Sequence, residues 1–126
     1  MKNMIRVSLL TNVLVLIPVC LGLLFDAAWV VNGYGAPSPA RGILLSIYGA
    51  ILMASLGLLW RTVPIAVASL LLVQVLYKIT TPLTVGALDN PVVISNLVIA
   101  ALHGVTLVLI FRELRDRHQP AHTSAA

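Results

Sequence analysis

Eight side chains able to pair charges, share protons or hydrogen-bond stand apart in an otherwise apolar chain: Asp26, Arg41, Tyr48, Gln74, Lys78, Asp89, Asn96 and His103. Two carboxylates, a guanidinium and an ammonium can neutralise one another or hold a polar head group. Two amides, a phenol and an imidazole can hydrogen-bond the oxygens of a small ligand, a lipid or a quinone-type ring. An independent catalytic activity is not expected. The sequence offers no nucleophile–base pair, no metal-ligand cluster and no phosphate-binding loop.

Lys78 poses the sharpest question. It stands in "LYKITTPL", residues 76–83, late in an apolar run that begins just after Arg61. An ammonium there needs a counter-ion, an aqueous cavity or a route to the membrane surface. Pro82 removes a backbone donor and crowds the carbonyl of Lys78. A kink is expected there, with the Thr80 and Thr81 hydroxyls at hand for the freed backbone groups. Pro18 acts in the same way on the first apolar run, near Leu14.

The elements that position these groups follow from composition. Of 126 residues, 60% are hydrophobic and 10% charged, with mean hydropathy +1.02. Soluble domains carry about 25% charged residues, and so short a chain could not hide this much apolar surface from water. A lipid bilayer is the expected solvent and partner. The net charge of +4 comes from basic residues gathered at the ends of apolar runs, so nucleic acid is not an expected partner. The single cysteine, Cys20, lies in the first run, which excludes disulfide-exchange chemistry within the chain and reads as a small buried hydrophobe.

Uncharged runs predict four spanning helices at about 6–27, 40–60, 63–84 and 91–112, forming one membrane domain over 1–126 with a polar tail at 113–126. Each run reaches the roughly 20 residues that cross the hydrocarbon as a helix, and none shows the alternation of a membrane strand. The first run is too long, and its "IPVC" too poor a cleavage site, for a signal peptide. "VNGYGAPSPAR" reads as a loop, "WRTVP" and "GALDNP" as tight turns, with Pro39, Pro64 and Pro91 opening helices. Short connections imply an all-α, up-down-up-down bundle. From Gln119 onward, disorder is expected. Lys2, Arg6, Arg61, Arg112, Arg115 and Arg117 share one side, against Arg41 and Lys78 on the other. This asymmetry places both termini in the cytoplasm.

Depth and helical phase sharpen the polar set. Lys78 follows Pro64 by 14 residues, so it lies about 21 Å along its helix, in the outer third of the membrane. Asp26, Arg41 and Asp89 flank spans at that end. The expected pairs are Asp26 with Arg41 and Lys78 with Asp89. Asn12, Val19 and Asp26 share one helical face, as do Arg41, Tyr48 and Ser55; Gln74, Lys78 and Thr81; and Asn96 and His103. In lipid such faces turn inward. His103 is expected near the midplane, neutral and bonded to Tyr48 or Gln74, or acting as a proton relay or quinone hydrogen-bonding group. No second intramembrane histidine exists to complete a haem site. No metal is expected, including at His118 and His122 in the tail. Ser46, Ala50 and Ala54 form a small-residue stripe for helix packing within the chain or between copies. Trp29, Tyr34 and Trp60 read as interfacial anchors.

Four short spans, cytoplasmic termini and a basic C-terminal end resemble the DoxX-like small bacterial membrane proteins. The likeness covers the whole chain and is one of layout; it carries no residue across, and it implies a place in the inner membrane of a bacterium. Some members of that group are linked with quinone-coupled redox complexes, which favours a polar vestibule for a small ligand, a lipid head group or a quinone-type ring; no cofactor is otherwise expected. Small multidrug exporters share the span count, but they depend on a glutamate in their first helix, where this chain has Asn12. The expected function is that of a structural or accessory subunit of a membrane complex, oligomeric with itself or with partners. The alternatives are a ligand-, lipid- or quinone-binding protein with an outward-facing polar vestibule, or a small transporter.

Overall fold

A computed structural model describes residues 1–119; residues 120–126, with His122 and most of the tail expected to be disordered, lie outside it. The chain is all-helical over the described residues. Helix α1 spans Lys2–Leu24, α2 Ala28–Tyr34, α3 Pro39–Trp60, α4 Pro64–Val85 and α5 Pro91–His118. The four long helices are each long and apolar enough to cross a membrane. Together they make a four-helix bundle, and the chain is a small multi-pass membrane protein.

Local chemistry sets the helix ends. Ser38 caps α3 by accepting from the Arg41 amide at 3.2 Å, and Asn90 caps α5 by accepting from the Val92 amide at 2.8 Å. Pro39, Pro64 and Pro91 occupy the first turns of their helices, where no backbone donor is needed. Gly86, at φ 72°, closes α4 in the left-handed conformation that glycine adopts without strain. Neither internal proline ends its helix: α1 runs through Pro18 and α4 through Pro82. Around Pro82 the hydroxyls of Thr80 and Thr81 both donate to the Tyr77 carbonyl, at 2.9 and 3.0 Å.

The first connection differs from the expected loop. Residues 28–34 coil into α2, which lies against α1 and α5. Two glycines permit that approach. A Cβ at Gly22 would come within 2.5 Å of Val30 and 2.7 Å of Trp29, and one at Gly33 within 2.8 Å of Val92. A turn-rich sequence hid this helix, because what stabilises so short an element is packing against its neighbours rather than propensity.

The bundle pairs α1 with α3 and α4 with α5, and the two pairs meet chiefly along α1 and α5. Apolar residues pack in two clusters. Ile5, Leu9, Val67, Ala68, Leu71, Leu107 and Ile110 fill the end nearer the termini. Leu16, Val19, Leu23, Val30, Tyr48 and Ile51 fill the loop end. Outside, Leu14, Met53, Val73 and Val98 are exposed along the spans. Inside, Ser8, Asn12, Ser55, Gln74, Lys78, Asn96, His103 and Thr106 are buried. Polar groups within and apolar groups without is the distribution that lipid favours.

Candidate functional site

The buried polar groups occupy levels along the bundle axis. Nearest the termini, Ser8 and Thr106 share a hydrogen bond of 2.7 Å that ties α1 to α5. Neither stood out in the sequence, because a lone hydroxyl residue in an apolar run is ordinary.

At mid-bundle, Asn12 is the hub. Its Nδ2 donates to Ser55 Oγ at 3.1 Å, and its Oδ1 lies 2.9 Å from His103 Nε2. These contacts join α1, α3 and α5. With the Asn12 amide turned this way, a neutral His103 carries its proton on Nε2 and donates it to Asn12. The partner expected for His103 was Tyr48 or Gln74; it is Asn12 instead. The i, i+7 periodicity put both residues on inward faces, but which inward groups touch depends on how the helices are rotated and shifted.

Toward the loop end stands Lys78, 5% exposed. Its Nζ donates to Asn96 Oδ1 at 2.9 Å and lies 4.9 Å from the centre of the Tyr77 ring. Asn96 Nδ2 in turn donates to Thr81 Oγ1 at 3.3 Å. The expected Lys78–Asp89 pair does not form. Asp89 is exposed in the turn after α4, and no ion pair involves Lys78 among the described residues. The physical reason is direction. The lysine side chain crosses to the facing α5, where Asn96 is in reach, while Asp89 stays in the turn, free to be hydrated.

The Asp26–Arg41 charge pair at the loop end is as expected. The Arg41 guanidinium bonds Asp26 and also donates to the carbonyls of Gly35 and Leu23, at 2.9 and 3.1 Å. It thereby closes the C-terminal end of α1 and the chain after α2 onto α3. Asp26 takes φ 53°, a left-handed conformation that aspartate tolerates. Tyr48 packs edge-on against Tyr34, with ring centres 6.1 Å apart. Burial, with the neighbouring Tyr48 adding to it, holds the Tyr34 phenol well above its ordinary pKa, so it remains a neutral donor.

Among the described residues, three buried side-chain atoms have no hydrogen-bond partner: Gln74 Nε2, Tyr77 Oη and His103 Nδ1. Gln74 and His103 are 1% and 0% exposed. The Lys78–Asn96 contact fixes the antiparallel register of α4 and α5. Gln74 lies four residues from Lys78, about 6 Å along α4, and so between the levels of Asn96 and His103. Each unpaired buried polar group costs about 1–3 kcal/mol. The unpartnered set is mostly donors, and Lys78 adds ammonium protons beyond the one given to Asn96. A molecule that brings oxygen acceptors complements this interior.

A cleft of about 400 Å³ opens at the loop end between α1, α2 and α5, lined by Val19, Trp29, Asn32, Gly33, Tyr34, Pro91, Val92 and Ser95. Tyr34, on its wall, contacts Tyr48, and Tyr34 and Tyr77 pack on the same apolar cluster that contains Tyr48. The aromatic side chains thus run from cleft to polar interior. No protein-family model, curated protein or solved structure matches this chain.

Proposed function

We propose that the protein is a small-molecule-binding subunit of the bacterial inner membrane, with both termini in the cytoplasm. Its ligand is an amphipathic molecule with carbonyl oxygens, of the quinone-ring class. One observation carries this reading: among the described residues, a buried lysine amine has a single neutral acceptor and stands beside the unpartnered donors of Gln74 and Tyr77. A purely structural polar core pairs its charges, because an uncompensated buried cation is costly. The lipid-filled surroundings favour a ligand that partitions into the membrane, and the DoxX-like layout agrees with a quinone-associated role. Mass spectrometry of the protein released intact from mild detergent tests the idea. A small molecule retained by the wild type and lost from Gln74→Leu and Lys78→Met supports it. A wild type that emerges free of any such molecule from a quinone-containing membrane overturns it.

A structural, accessory role has its own observation in the Asn12, Ser55 and His103 links, which hold three helices in register. On that reading the subunit assembles with itself or with a partner through exposed Ser46, Ala50 and Ala54 on α3. Ala50→Leu then lowers the oligomer mass in light scattering and leaves ligand retention intact. For the orientation, Ser38→Cys reacts with an impermeant maleimide in intact cells, and Ser124→Cys reacts only after permeabilisation. The reverse pattern inverts the topology.

A further inference from the structure

Three cationic side chains meet at the end of the bundle that carries the termini. Lys2 and Arg6, one turn apart on α1, and Arg117 of α5 line a cleft of about 390 Å³ with Ile5, Thr62 and Pro64. Ile5 is fully buried beneath it. Arg117 is held by Glu113 at 2.6 Å, whereas Lys2 and Arg6 form no ion pair among the described residues. The start of α4 adds to the positive potential. Its N-cap residue, Val63, supplies no capping side chain, and its first turn holds no acidic residue. Uncapped amides and the positive end of the helix dipole both favour an anion. Trp60, Val63 and Ile65, around the start of α4, are exposed and apolar. Cationic walls therefore stand next to surface suited to acyl chains.

We propose that this cleft binds the phosphate group of an anionic phospholipid, with Lys2 and Arg6 as the principal contacts. The chemistry is that of phosphate and clustered basic groups at the membrane surface. The volume exceeds that of a bare phosphate ion, so there is room for part of the head group. The adjoining apolar residues take the chains, which a soluble anion lacks. The inference is independent of the ligand proposed for the bundle interior, since Gln74 lies ten residues beyond Pro64 on α4, about 15 Å along the helix from the cleft.

The test uses the full chain in zwitterionic micelles, titrated with phosphatidylglycerol and followed by thermal unfolding and by lipid retained in native mass spectrometry. Phosphatidylglycerol is expected to stabilise the wild type. Lys2→Gln with Arg6→Gln lowers its affinity about 30-fold, since each basic group near a membrane surface contributes about fivefold. Arg112→Gln with Arg115→Gln removes the same charge from the same end, but neither residue lines the cleft, so each acts on a bound phosphate only through the salt-screened field and affinity stays within about threefold. Comparing each variant with and without the anionic lipid cancels any change in its basal stability. Equal losses from both double variants would mean diffuse attraction and would overturn the cleft. Equal stabilisation by inorganic phosphate alone would overturn the lipid assignment, and no response to phosphatidylglycerol would overturn both.

Discussion

Two buried cations, Arg41 and Lys78, lie toward the same end of this bundle and are treated in opposite ways. Arg41 is 6% exposed and Lys78 5% exposed. Arg41 meets a carboxylate and two backbone carbonyls. Lys78 meets one neutral amide oxygen and the face of a tyrosine ring. The rigid fork of a guanidinium suits multiple fixed acceptors, and here it staples a helix end to a turn. A lysine left with spare protons is poorly suited to that task and well suited to receiving a ligand. Under-satisfaction, rather than burial or charge, separates the candidate binding group from the structural one.

The comparison breaks most visibly at Arg41. Arg41→Met removes the donor to three acceptors and should destabilise the bundle by about 2–4 kcal/mol, below the loss for a fully buried pair because Asp26 remains half-exposed. Thermal unfolding in detergent measures this. A loss under about 1 kcal/mol would make Arg41 as dispensable as an exposed ion-pair partner.

Gly22→Leu is next. The new side chain collides with Val30 and Trp29, and overpacking of this kind costs about 1–3 kcal/mol. It should lift α2 and so loosen the turn that Arg41 closes. In a Trp60→Phe background, Trp29 emission reports the displacement. Unchanged emission and stability would mean that α2 is not seated on α1.

At Lys78 the expected net effect is small. Lys78→Met gives up a hydrogen bond and also relieves a desolvated amine, so stability should change by less than about 1 kcal/mol in either direction. Destabilisation above about 3 kcal/mol would place Lys78 with Arg41 as a structural cation. The finest test is coupling. A double-mutant cycle of Lys78→Met with Asn96→Leu should show about 1 kcal/mol, whereas the cycle with Asp89→Asn should stay below about 0.5 kcal/mol. The opposite ranking would restore an ion pair between Lys78 and Asp89.

Much of the architecture was legible in the chain. Long uncharged runs and helix-opening prolines specify four helices, because spanning segments must satisfy their own backbone and begin at local signals; the cap at Ser38 and the choice of Asn90 as the cap of α5 came with the structure. The inward polar faces were also legible, since Gln74 and Lys78, or Asn96 and His103, share a face by helical geometry alone. The Asp26–Arg41 pair could be expected because a short connection holds the two ends together whatever the rest of the bundle does. Asn12 and Ser55 were visible on those faces but were not among the expected site residues.

The partners of Lys78 and His103 belong to the tertiary structure alone. Asn96 and Asp89 differ in reach from Lys78 only through the register of α4 on α5, and Asn12 meets His103 only through the rotation of α1 against α5. The coil at Ala28–Tyr34 was likewise decided in three dimensions, where Gly22 and Gly33 let it lie close enough to be held. Sequence periodicity determines which face of each helix is polar. Interhelical register and rotation, set by packing along the whole length of the bundle, determine which polar groups on those faces meet and which are left with hydrogen bonds to give.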